Sequence, residues 1–139
     1  MSADHAFGSQ SDALSRLYTL TSSGGRLLFG TGYWETHPTR DQAASLDLTP
    51  ESLSDLAGLV DLAMSKGFRP LYIQTANRDE WEQFESGFLA DSEEWLLRYG
   101  DRPGAEGIRT RSDKHRNAWL RRYSGVLGFA YLTLGRPLT

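Results

Sequence analysis

Tyr33, Trp34 and Glu35 stand in a row at the end of an apolar run that begins at Arg26. Two aromatic rings beside a carboxylate suit the holding of a small organic molecule and the removal of a proton from it. Trp81 is a second candidate, set among Asp79, Glu80, Glu82 and Glu85 at what reads as the start of a helix. The positive end of a helix dipole accounts for most of those acids, and Trp81 is placed as a cover for a ligand pocket. Other chemistries find little footing. The three histidines, His5, His37 and His115, lie far apart and lack the paired spacing of metal ligands, so no metal site is expected. There is no cysteine, which excludes thiolate zinc sites, cysteine nucleophiles and disulfides. Ser22-Ser23 and the serines at 9 and 11 lack the strand-to-helix elbow of a serine nucleophile. No phosphate loop is present. Gly30-Thr31-Gly32 is the nearest approach to a glycine-rich cofactor loop, but it lies inside an apolar run and reads as small residues packing under a neighbour.

The elements that must position these residues alternate. Residues 9–21 read as a helix, with Leu14, Leu17 and Tyr18 on one face and Ser9 or Ser11 as cap. Ser22-Ser23-Gly24-Gly25 stops it, and residues 26–33 follow as a strand buried on both faces, as in a parallel sheet. A short helix is expected near 40–46. Thr49-Pro50-Glu51 starts a longer one, with Leu53, Leu56, Val60, Ala63 and Met64 as its apolar face and Gly67 as its end. Residues 68–75 form a second strand. Asp79 caps the next helix, whose apolar face runs through Trp81, Phe84, Phe88, Trp95 and Tyr99. After the break at Asp101-Arg102-Pro103-Gly104, a helix carrying Ile108, His115, Trp119 and Tyr123 leads to a last strand over 126–134. Helix and strand in alternation indicate an α/β layer structure.

Composition bounds the partners. The chain has 139 residues, 39% hydrophobic and 12% aromatic, enough for a real core, and its net charge is −3. No field of one sign recommends nucleic acid. The basic clusters at 109–111, 114–116 and 121–122 read as a solvated helix face. The longest apolar runs fall well short of the ~20 residues of a membrane helix. The amino terminus, Met1-Ser2-Ala3-Asp4-His5, lacks the basic and apolar regions of a signal peptide. A cytoplasmic protein, bound neither to membrane nor to nucleic acid, is expected.

The segment Ala13-Leu14-Ser15-Arg16-Leu17-Tyr18-Thr19-Leu20-Thr21-Ser22-Ser23-Gly24-Gly25-Arg26-Leu27-Leu28-Phe29 resembles part of the class I S-adenosylmethionine-dependent methyltransferases. In that family a helix ending in leucine, x, proline, glycine, glycine, arginine feeds the fifth strand of the sheet. Ser23 stands here in place of the proline, and Gly24-Gly25 still supplies the turn. Residues 68–75 resemble the family's sixth strand, and 125–137 its closing one. The resemblance covers the whole chain, with Gly24-Gly25-Arg26 its most specific part.

What the resemblance implies is a partial Rossmann-like α/β sheet of three to four strands, mixed, the last antiparallel, flanked by helices. Residues 1–139 would then be the carboxyl-terminal part of one methyltransferase-like domain, a truncated domain without the half that grips the cofactor. S-adenosyl-L-methionine would belong to the complete domain, and no cofactor is expected for this chain alone. In the family the strand ends near residues 2–8 and 32–36 are adjacent, so His5, Phe7, Tyr33, Trp34 and Glu35 would share one mouth. His5 is then the candidate catalytic base, with Phe7, Tyr33, Trp34, Glu35 and Trp81 binding a small-molecule acceptor. The alternative is a fragment that does no chemistry. Its bare sheet edge would recruit a second copy or an amino-terminal partner chain.

Overall fold

In the computed structural model, residues 9–139 are described. Their contacts divide the chain into two compact units, one formed by the residues up to Ala76 together with Gly125–Thr139, the other by Asn77–Ser124.

The first unit is a three-stranded open sheet with helices. Helix α1 (Gln10–Leu20) starts where Ser9 Oγ accepts the Asp12 N–H at 3.1 Å. It ends in the turn at Gly24, whose φ of 77° suits a residue with no Cβ. Strand β1 (Arg26–Trp34) follows, then the short α2 (Arg40–Ala44), α3 (Leu56–Ser65), β2 (Arg69–Thr75) and, after the second unit, β3 (Leu127–Gly135). The sheet order is β1-β3-β2, and β3 runs antiparallel to both neighbours. So β1 and β2 are parallel to each other, with their carboxyl ends on the same side. The expected α/β sheet with an antiparallel last strand is present.

One face of the sheet carries the core. Phe29, Tyr33, Ala130, Leu132 and Leu134 pack there against Leu14 of α1 and Leu59 and Ala63 of α3. Gln10 is the polar exception. Its Nε2 donates to Thr31 Oγ1 at 2.8 Å and to the Gly32 carbonyl at 2.7 Å, which fixes the start of α1 against β1. The other face is thinner: Leu28 is 68% exposed and Tyr72 61%. The expectation that β1 is buried on both faces therefore fails at Leu28. Among the described residues β1 has a neighbour on one edge only.

The helix expected to start at Thr49 is interrupted. Thr49 caps only a 3-10 turn over Pro50–Ser52, Leu53 is extended, and α3 begins anew with Asp55 Oδ1 accepting the Gly58 N–H at 2.7 Å. Two tertiary demands break it. Ser54 gives its carbonyl to the Trp34 N–H at 2.8 Å, and Leu53 joins a small cluster around Trp34, Ala43 and Val126.

The second unit contains two helices, α4 (Arg78–Tyr99) and α5 (Ala105–Ala118), the latter continued by a π-turn over Trp119–Tyr123. The cap of α4 is Asn77, paired reciprocally with Glu80, where Asp79 was expected. The expected apolar face is also displaced. Phe84 and Phe88 are 67% and 62% exposed, while Glu85 and Leu89 are the buried residues of α4.

Candidate functional site

Parallel strands present ligands at their carboxyl ends. In the first unit those ends are Tyr33-Trp34-Glu35 of β1 and Thr75 of β2, with the start of β3 between them. Tyr33 pairs with Gly128 of β3, and its ring occupies the space above that glycine: a Cβ there would meet Tyr33 Cε1 at 2.4 Å. The ring thus crosses β3 toward β2, where the Thr75 side chain interacts with its phenol. Burial pushes the Tyr33 phenol up from its ordinary 10.0, the Thr75 hydrogen bond opposes that rise, and the Glu35 carboxylate adds to it. A phenol held in its neutral form is a hydrogen-bond donor or acceptor for a ligand at this mouth. Glu35 is exposed beside it and supplies a negative charge.

Trp34 is turned away from this place. Successive residues of a strand face opposite sides, so Tyr33 and Trp34 cannot form one aromatic wall. The Trp34 side chain is 4% exposed in its own cluster with Ala43 and Val126, and its Nε1–H donates to the Pro50 carbonyl at 2.9 Å. His5 and Phe7 lie outside the described residues. Trp81 belongs to the second unit, where its ring lies 6.4 Å from that of Tyr123.

Sequence reasoning missed Thr75 and Gly128. A threonine ending a strand and a glycine in an apolar strand carry no signal until the register is known. It also misread Glu85. This side chain is 2% exposed; its Oε1 accepts the Tyr123 hydroxyl at 2.8 Å, and its Oε2 lies 2.6 Å from His115 Nε2. The helix dipole is not its partner. The π-turn adds a residue to the last helical turn and brings Tyr123 round to Glu85. Burial and the Glu85 carboxylate push the Tyr123 phenol far above its ordinary value.

The Gly30-Thr31-Gly32 segment forms no cofactor loop. Gly30 and Gly32 are covered by the side chains of Phe129, Leu127 and Leu53, so they serve sheet packing. No group of three acidic or histidine side chains is placed to hold a cation among the described residues. No helix among them is long and apolar enough to cross a membrane.

No family model matches the chain, and no curated protein matches it by sequence. Solved structures do. An S-adenosylmethionine-dependent methyltransferase from Geobacter sulfurreducens, in complex with S-adenosyl-L-homocysteine, superimposes with a TM-score of 0.82 at 21% identity. The match covers 95% of this chain and 54% of that one. A methyltransferase from Thiobacillus denitrificans, also holding S-adenosyl-L-homocysteine, gives 0.81 at 19% identity over 95% of this chain and 54% of its own. The cyclopropane synthase MmaA2 from Mycobacterium tuberculosis gives 0.60 at 15% identity, covering 91% of this chain and 50% of its own. The chain spans about half the length of these structures. Its fold is that of part of a Rossmann-like, class I S-adenosylmethionine-dependent methyltransferase domain.

Proposed function

We propose that this chain forms the acceptor-side share of a domain that transfers a methyl group from S-adenosylmethionine to a small molecule. The observation that carries the proposal is the sheet itself. An antiparallel β3 lies between parallel β1 and β2, and this arrangement superimposes on methyltransferases whose structures hold S-adenosyl-L-homocysteine. The cofactor supplies the reactive methyl group, and the protein's part is binding and orientation. The described residues offer no glycine cradle for it, so that grip is assigned to residues beyond them. What this chain contributes is the mouth at the carboxyl ends of β1 and β2. Tyr33 and Thr75 would fix an acceptor by hydrogen bonds, and Glu35 would favour an acceptor with a positive or proton-bearing group. The net charge of −3 and the Glu35 carboxylate at the mouth favour a small molecule over nucleic acid.

Calorimetry with S-adenosylmethionine tests the division of labour. No heat of binding is expected from the isolated 139-residue chain. Micromolar binding by it would refute the assignment of the cofactor grip to other residues. Methyl transfer from labelled cofactor by the full domain to small acceptors, weakened by Tyr33→Phe and Glu35→Gln, tests the rest. Label appearing only in protein or nucleic acid would overturn the acceptor class.

A second reading is favoured by β1. Its edge, unpaired among the described residues, and the exposed Leu28 suit pairing with another strand, so the isolated chain would self-associate or take an amino-terminal partner without doing chemistry. Size-exclusion chromatography decides it: a dimer broken by Leu28→Lys supports the reading, and a clean monomer removes the self-association.

A further inference from the structure

At the opposite end of the sheet, where β1 and β2 begin and β3 ends, the first unit has a shallow groove. Gly24, Gly25, Leu71 and Gly135 line it together with three arginines, Arg26, Arg69 and Arg136. No acidic side chain lines it. From this groove we infer a binding site for a phosphate-bearing small molecule, separate from the mouth at the carboxyl ends.

The register builds the site. Gly135 of β3 pairs with Arg26 on one side and with Arg69 on the other, so both arginines leave the sheet on the same face. Their Cα atoms are roughly 10 Å apart, two strand spacings, with a glycine as floor between them. Arginine side chains are long enough to close from both sides on one tetrahedral anion. Their planar forks match phosphate oxygens in pairs. Leu71 walls the floor, since a Cβ on Gly135 would touch its Cδ1 at 3.2 Å. Among the described residues none of the three arginines has an ion-pair partner.

Arg136 is already anchored. Its Nη1 donates to the Tyr18 and Thr21 carbonyls at 2.9 Å each, and the guanidinium stacks on the Tyr18 ring. That closes the end of α1. Its Nε is buried and meets no acceptor among the described residues.

The test is thermal unfolding of the whole chain in inorganic phosphate, in glycerol 3-phosphate and in chloride at matched ionic strength. Both phosphates are expected to raise the midpoint above that in chloride. Arg26→Gln/Arg69→Gln should abolish the difference. Arg26→Lys/Arg69→Lys, which keeps the charge but loses the forks, should weaken binding about tenfold. Arg121→Gln/Arg122→Gln, which removes the same charge from the second unit, should leave the response intact. Sedimentation with phosphatidylcholine vesicles, with and without phosphatidic acid, separates the sources of phosphate. Chain left in the supernatant supports a soluble ligand, and co-sedimentation lost in the Arg26→Gln/Arg69→Gln variant reassigns the site to a lipid headgroup. Equal midpoints in phosphate and chloride, or a phosphate response that survives Arg26→Gln/Arg69→Gln, would overturn the site.

Discussion

The ring of Tyr33 covers Gly128, its partner across the sheet, so closely that a Cβ there would lie 2.4 Å from two ring carbons. Gly128→Ala must therefore displace the ring from its place beside Thr75. The expected cost is about 1–3 kcal/mol of stability, the range for overpacking a filled core. Denaturant unfolding measures it. The same variant should shift the Tyr33 titration toward the ordinary value, because the displaced phenol loses some of its burial. A variant of unchanged stability and unchanged tyrosine titration would mean that the ring does not rest on β3.

Gln10 bridges α1 and β1 by donating twice from one amide nitrogen, to Thr31 Oγ1 and to the Gly32 carbonyl. Gln10→Glu keeps the shape but turns the donor into an acceptor facing a carbonyl oxygen. A loss of about 2–3 kcal/mol is expected near neutral pH, the cost of a buried polar group set against the wrong partner. At low pH the protonated acid can donate once, so part of the loss should return. Gln10→Met tests the alternative that packing alone matters. It should cost about 1 kcal/mol and show no such recovery.

These two contacts mark how far the sequence could be read. The strand segments, the Gly24-Gly25 turn and α1 were legible, because apolar periodicity and glycine chemistry are local properties. The place of Tyr33 at the strand mouth was legible too. The separation of Tyr33 from Trp34 follows from strand alternation and needed only that rule to be applied. Thr75 and Gly128 were not legible, because they join the mouth through the pairing of β1, β2 and β3, which links residues far apart in the chain. Glu85 was misread for the same reason. Its position near a helix start offered a local explanation, while its actual partners lie 30 and 38 residues later.

Glu85 holds the second unit together through both oxygens, with His115 on one and Tyr123 on the other. Glu85→Gln can still accept from Tyr123 and donate to a neutral His115, so the expected loss is about 1 kcal/mol. Glu85→Ala leaves two polar groups without their partner and opens space, and should cost about 2–4 kcal/mol. Circular dichroism during urea unfolding reads the difference. Equal losses for the two variants would mean that the carboxyl group fills volume and that its hydrogen bonds contribute little.

Tyr123 makes the same network sensitive to alkali. Its phenol is raised above the ordinary 10.0 by burial first and by the Glu85 carboxylate second. In the unfolded chain it ionises near its ordinary value, so above about pH 10 the unfolded state holds fewer protons than the folded one. Stability should therefore be intact below that pH and fall as pH rises through it, by up to about 1.4 kcal/mol per pH unit from this residue. Tyr33, shifted in the same direction, adds a smaller decline of the same sign. Tyr123→Phe removes the ionisation and leaves Glu85 Oε1 without its donor. It should be less stable by about 1–2 kcal/mol at neutral pH, yet lose less on going to high pH. Urea unfolding of both proteins between about pH 8 and pH 11 compares the slopes. Parallel curves would show that the Tyr123 phenol ionises as readily in the fold as outside it, and the buried hydrogen bond to Glu85 would have to be abandoned.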